Sequence, residues 1–160
     1  MEKLELATKV NADILQVWEF FRIHDNIQYL SPPESEIQII YPVSPVILSK
    51  DEIIHYKVKN PMGTYTTWKA IITDFEKPHF IADEQIEGLF SFWRQEYSFR
   101  QIPHEGTEII NTIYYEPPWG KLGKVINVVF AQSALIDLLE YRSSRLKELL
   151  NLHVAVERLY

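Results

Sequence analysis

From Trp93 to Phe99 the chain alternates strictly: Trp93, Gln95, Tyr97 and Phe99 take one parity, and Arg94, Glu96 and Ser98 the other. Successive side chains of a strand point to opposite faces, so as a strand this segment carries one aromatic face with a single amide and one charged face. Asp83-Glu84-Gln85-Ile86-Glu87-Gly88 just before it reads as the end of another strand and a Gly-marked turn, which makes the pair a hairpin. A sheet built on such a hairpin meets water on one side and something apolar on the other. The rest of the chain has to supply that apolar cover.

Reading in order, Lys3 to Lys9 alternates as an opening strand. Asn11 is placed as the cap of a short amphipathic helix running to about Arg22, with Asp13 in its first turn. His24 to Leu30 fits a second short helix that Pro32-Pro33 must end. Strands follow over Glu36–Tyr41, Glu52–Lys59 and Thr64–Asp74, the last two joined by an Asn60-Pro61-Met62-Gly63 turn. The hairpin occupies about Pro78 to Gln101, and Thr107–Glu116 is one more strand. A long helix then runs from about Leu122 to at least Leu150, with Val128, Gln132, Leu135, Leu139, Arg142, Leu146 and Leu149 as its inner seam. Strands grouped ahead of a helix imply α+β with an antiparallel sheet of about seven strands, and only this last helix is long enough to cover it.

Composition removes several functions. A formal net charge of −6 with scattered Lys and Arg gives no basic face for nucleic acid. Without Cys there is no disulfide scaffold, thiol nucleophile or thiolate-bound metal. The five histidines (His24, His55, His79, His104, His153) have no metal-ligand spacing, so neither metal nor cofactor is expected. Gly120 to Lys124 is too short for a phosphate loop. No stretch approaches a membrane span, and the N-terminus lacks a signal-peptide core. The expectation is a cytoplasmic protein without membrane insertion, monomer or homodimer.

Several motifs spread along nearly the whole chain resemble the helix-grip fold of the START-like superfamily (SRPBCC proteins, with polyketide cyclase and lipid-carrier relatives), closest to a prokaryotic ligand-binding branch. They are Val17-Trp18-Glu19-Phe20-Phe21, Leu30-Ser31-Pro32-Pro33, Trp68, Asp83-Glu84-Gln85 with Gly88, Trp93 through Phe99, Tyr115-Glu116-Pro117 with Gly120 and Gly123, and Tyr141-Arg142. The resemblance implies one such domain over residues 1–150, with 151–160 a helix extension or tail. It also implies a cavity for a small hydrophobic ligand between sheet and helix. The family pattern in the hairpin strand is Trp-x-His-x-His-x-Phe; here Gln95 and Tyr97 stand at the His positions, Asn111 replaces the usual Asp, and Gly88-Leu89 replaces Gly-Pro. Gln cannot titrate and Tyr does so near pH ~10, so these changes remove general-base capacity near neutrality.

The candidate ligand-binding residues are therefore Tyr56, Trp68, Asp83, Gln85, Trp93, Gln95, Tyr97, Asn111, Tyr115 and Arg142. Their polar members either satisfy one another and fix strand register, or orient the polar end of a ligand enclosed by the rings. Arg142, a charge on the apolar seam, either pairs with Asp83 or Glu84 or meets a ligand carboxylate or phosphate. Three functions follow: a non-catalytic binding module for an apolar or aromatic ligand; a cyclase or dehydratase with Tyr97 as proton donor and Asp83 as acid or base; or an interaction protein whose groove takes an apolar partner segment, which an exposed apolar patch around Trp119 and the Pro-rich turns would favour.

Overall fold

In the computed structural model, residues 1–59, 63–117 and 124–157 are described, with side chains of the last helix described over 131–151. The order is β1 (Glu2–Val10), α1 (Ile14–Arg22), a 3-10 helix over His24–Leu30, a shorter one over Pro33–Ser35, β2 (Gln38–Tyr41), β3 (Ile53–Lys59), β4 (Tyr65–Glu76), β5 (Phe80–Glu87), β6 (Phe92–Ile102), β7 (Gly106–Glu116) and α2 (Lys124–Glu157). The strands form one antiparallel sheet in the order β1-β7-β6-β5-β4-β3-β2. This is the α+β helix-grip arrangement. Pro118-Trp119-Gly120, Gly123, most of the Asn60–Gly63 turn and the Val128 side chain lie outside the described residues.

The alternation of β6 survives folding without exception. Trp93, Gln95, Tyr97 and Phe99 are buried, while Arg94, Glu96 and Ser98 stay partly exposed. On the outer face Arg94 bonds Asp74, Glu84, Glu96 and the Thr73 hydroxyl at 2.7–2.9 Å. The charged face is thus a network across β4, β5 and β6, more ordered than a merely solvated surface. Register irregularities between Ile72 and Asp74, and between Lys69 and Ala70, interrupt the β4–β5 ladder. Such bulges bend and twist a strand, which a sheet curving round a helix requires.

Two apolar clusters fill the concave side. One gathers Val17, Trp18, Phe21, Phe99 and Ile109 with Leu146 and Leu150 of α2; the other gathers Trp93, Ile113 and Tyr115 with Leu135 and Leu139. Arg142 falls between the two helix pairs. The seam therefore runs through Leu135, Leu139, Arg142, Leu146 and Leu150, with Leu149 partly buried, whereas Gln132 is exposed.

The N-cap of α1 is Asp13 and not Asn11. The Asp13 carboxylate accepts from the backbone N–H groups of Leu15 and Gln16, and the Gln16 side chain accepts from the Asp13 N–H. That reciprocal arrangement satisfies donors at the helix start that one residue at position 11 would be too far away to reach. Asn11 instead uses its backbone N–H, which donates to Asn151 Oδ1 of α2 at 2.9 Å. At Gly106, φ is +95° and a Cβ would lie 2.1 Å from the Val10 carbonyl oxygen, so glycine there lets β7 start against the end of β1. The capping assignment predicts that Asp13→Ala lowers unfolding free energy by about 1 kcal/mol, whereas Asn11→Ala changes it by less than about 0.5 kcal/mol. Urea denaturation of the two variants checks it.

Candidate functional site

Between the sheet and α2, at the junction of the two clusters, lies a cavity of about 220 Å³. Of the ten candidate residues, Tyr56, Trp68, Asp83, Trp93, Gln95, Tyr97 and Arg142 line it. A smaller cavity of about 30 Å³ adjoins it under α1, sharing His24, Asp83 and Tyr97.

Gln85, Asn111 and Tyr115 share the predicted parity but do not line the cavity. Gln85 closes the β5–β6 hairpin: its amide nitrogen donates to the Phe90 carbonyl at 2.6 Å, and its amide oxygen accepts from the Phe90 N–H at 3.2 Å. A Cβ on Gly88 would come within 2.4 Å of that amide oxygen, so the small residue leaves room for the clasp. Asn111 lies one layer behind, its side-chain oxygen accepting from Gln95 Nε2 at 3.0 Å. Tyr115 is buried in the second cluster with its ring edge-on to Phe90.

The aromatic wall is rigidly assembled. Trp68 and Trp93 meet edge to face at 5.2 Å between centroids, and Phe90 packs on both at 6.0 and 5.0 Å. On the opposite side Phe21 of α1 packs on Tyr97 at 4.7 Å. Gln95 Nε2 also donates to the Tyr97 hydroxyl at 3.0 Å, which fixes the phenol head at the cavity surface.

His24 completes the site, and the sequence carried no pattern that marked it. It begins the 3-10 helix, where the backbone around it is tied to residues 46–48. The His24 N–H donates to the Val46 carbonyl, the Leu48 N–H to the Arg22 carbonyl, and the Val46 N–H to the Asp25 carboxylate. These bonds aim the ring at the cavity, where Nε2 shares a hydrogen bond with the Tyr56 hydroxyl. The contact spans 32 residues, and no local periodicity records it. Ser31 and Ser35, also in the lining, turn their hydroxyls back to the carbonyls of Ile27 and Pro32.

Arg142 is buried with 7% of its surface exposed, yet it makes no ion pair among the described residues. Its Nε donates to the Leu30 carbonyl at 3.3 Å, and its Nη1 has no hydrogen-bond partner. Pairing with Glu84 is excluded by strand parity, because Glu84 sits on the outer face with Arg94. Asp83 is on the inner face of the ladder, and its carboxyl stands beyond ion-pair distance of Arg142 and makes no side-chain hydrogen bond among the described residues. Burial pushes the Asp83 carboxyl up to about 7, against the opposing pull of Arg142 and Arg94. Burial pushes the His24 imidazole down to about 4, Asp25 opposing and Arg142 assisting. Burial likewise raises both phenols, Tyr56 well above its ordinary value. Near neutrality the wall therefore presents a permanent cation, neutral His and Tyr groups, and one carboxyl at its titration midpoint.

These shifts act on stability in opposite directions. Asp83 is protonated in both states below pH about 4 and ionised in both above about 7, so its folding penalty grows as pH rises between them. His24 is charged in both states below about 4 and neutral in both above 6.5, so its penalty is relieved as pH rises. Each slope is at most about 1.4 kcal/mol per pH unit. The stabilisation of Asp83→Asn over the parent should therefore grow from pH 4 to 7, while that of His24→Gln should shrink from pH 4 to 6.5. Denaturation midpoints across that range check both signs.

No known protein family matches the chain, and no curated protein is recognisably similar in sequence. Solved structures are similar in fold. Protein CV1439 from Chromobacterium violaceum superposes with a TM-score of 0.71 at 8% identity, covering 94% of this chain and 99% of that one. Protein Ms6760 from Mycobacterium smegmatis gives 0.67 at 15% identity, covering 94% and 92%. The di-domain ARO/CYC BexL, from the BE-7585A biosynthetic pathway, gives 0.68 at 15% identity, covering 93% of this chain and 50% of its own. At such identities the likeness is one of fold, and it agrees with the helix-grip architecture built from the residues.

Proposed function

We propose that this chain is a START-like (SRPBCC) protein that binds a small apolar or aromatic ligand between its sheet and α2, without chemical change to it. The observation that carries this reading is the about 220 Å³ cavity walled by Trp68, Phe90, Trp93 and Tyr97 and faced by the Arg142 guanidinium, whose Nη1 has no partner, and by the Asp83 carboxyl. A packed core has few voids larger than a water molecule, whereas binding sites combine an apolar wall with a few convergent polar groups. A cavity of this size accommodates a ligand of one or two rings, by comparison with an engineered cavity of about 150 Å³ that holds benzene. That BexL, a structural neighbour, is an ARO/CYC supports a ring-bearing ligand.

The test is native mass spectrometry of the protein as purified, followed by a denaturing run. The expected result is a defined extra mass on the native protein that leaves on unfolding. Leu138→Trp and Val58→Phe each put a larger side chain into the cavity wall, and both should remove that mass while the protein stays folded. A native mass equal to the chain alone, together with no uptake from a panel of one- and two-ring compounds, refutes the reading.

One observation favours a second reading, a cofactor-free cyclase or dehydratase. Asp83 is unpaired and titrates near neutrality, where an acid–base catalyst is most effective, and Tyr97 presents its hydroxyl beside it in the same wall. Asp83 would then exchange the proton and Tyr97 donate one to a ligand oxygen. On that reading the released ligand changes on incubation with the wild type, a dehydration by loss of one water from its mass and a cyclisation by a new chromatographic retention at unchanged mass. Asp83→Asn and Tyr97→Phe would stop that conversion yet still retain the ligand. Release of an unaltered ligand from the wild type leaves the carrier reading in place.

A further inference from the structure

We propose that the polar end of the ligand is a carboxylate, which seats between Arg142 and Asp83 by taking hydrogen bonds from the guanidinium and from the protonated Asp83 carboxyl. This rests on the binding reading above and names the chemistry that the site selects.

The geometry points there in three steps. First, Arg142 is more than nine-tenths buried, lines the cavity, and has Nη1 without a partner among the described residues. A buried guanidinium left so is costly, and a planar oxyanion is the group that its fork geometry fits best. Second, no carboxylate among the described residues fills this role. Glu84 is held by Arg94 on the far face, the Asp25 carboxylate accepts from the Val46 N–H, and Asp83 stands off. Third, the charge count favours a monoanion. Arg142 is the only cation among the described lining residues, and Asp83 faces the same space. A phosphate dianion would meet one positive charge and a potential negative one, whereas a carboxylate with a protonated Asp83 leaves the site neutral overall.

The groups facing Asp83 can be named element by element. His24 comes from the 3-10 helix, Tyr56 from β3, Tyr97 and the amide of Gln95 from β6, and Arg142 from α2; Glu84 and Arg94 act on it through the sheet. His24 is neutral above about pH 4, and both phenols titrate above their usual range. Asp83 is therefore the group of this set that changes charge between pH 5 and 9. A carboxylate placed beside it raises its proton affinity further, so above pH 7 binding takes up a proton.

The probes are 2-naphthoate and its neutral isostere 2-naphthamide, measured by titration calorimetry with the full chain. The expected result at pH 6 is that naphthoate binds at least tenfold tighter than naphthamide. Its affinity should then fall by up to tenfold per pH unit above 7, while that of naphthamide stays level. At pH 8, runs in phosphate and Tris should show uptake approaching one proton per naphthoate. Arg142→Gln should abolish the preference for the acid and keep naphthamide binding, and Asp83→Asn should flatten the naphthoate pH profile. Naphthamide binding as tightly as naphthoate to the wild type overturns this inference and leaves the binding reading standing. An unchanged naphthoate profile in Asp83→Asn overturns it as well. Binding of neither probe overturns this inference, and the binding reading falls with it where the native mass also equals that of the chain alone and the panel is not taken up.

Discussion

The buried guanidinium of Arg142 is the constraint on which the concave side of this protein depends. It sits on α2 between Leu139, which packs into one apolar cluster, and Leu146, which packs into the other. A charge at that point cannot be covered by hydrocarbon without a large desolvation cost. The helix and sheet therefore cannot close on each other through their middle, and the core divides into two. What lies between is a polar junction whose walls are the inward residues of β3, β4, β5 and β6. The Leu30 carbonyl at the end of the 3-10 helix takes one guanidinium hydrogen bond, which ties that helix to α2 and fixes the width of the gap. Arg145 repeats the tie one step along, its Nε donating to the Tyr29 carbonyl.

The opposite face of the sheet solves a different problem. Arg94 there gathers Asp74, Glu84 and Glu96 from three strands, with its side chain 21% exposed. Its partners sit on β4 and β5 as well as on β6 itself, so the network pins the relative register of the strands that carry Asp83, Gln95 and Tyr97. Parity links the two faces: Glu84 reaches outward to Arg94 because Asp83 and Gln85 point inward. A one-residue slip in β5 would exchange these roles and bury Glu84 against Arg142. The outer salt-bridged cluster and the inner unpaired charges are thus two consequences of one register.

The sequence disclosed the sheet far better than it disclosed the site. Strict alternation in 93–99 fixed which residues of β6 face inward, and the structure keeps that division at each position. What periodicity reports is direction; depth is set by neighbours far along the chain. Gln85, Asn111 and Tyr115 point inward as the pattern says, yet one is consumed by a turn, one stands behind Gln95, and one is sealed by Phe90. Gln132 repeats the lesson on α2. It lies about five turns before Leu150 and so at the same angular position, but it is exposed, because an inward bearing buries nothing unless something lies opposite. His24 was illegible for the converse reason. Its place in the wall comes from backbone bonds to residues 46–48 and from a side-chain contact with Tyr56, none of which leaves a local pattern. The cap of α1 failed more simply: two residues able to cap stand two positions apart, and only the reciprocal bond with Gln16 decides between them.

The separation of Asp83 from Arg142 is the feature that stability alone does not explain. A chain selected only to fold could have joined them, recovering part of the desolvation cost of each, or replaced both with apolar residues, which is often neutral or better. Here the carboxyl and the guanidinium face the same space from β5 and α2 and are kept apart. Each is fixed by its own scaffold: Asp83 by the register that the Arg94 cluster pins, and Arg142 by the Leu30 carbonyl and the leucines on either side of it. The guanidinium cannot swing toward Asp83 without giving up the Leu30 carbonyl. The guanidinium and the carboxyl, set in opposite walls, leave hydrogen-bonding capacity unspent, while the rings of Trp68, Trp93 and Tyr97 enclose the space between them. The same arrangement that costs the fold stability gives the cavity its chemical direction.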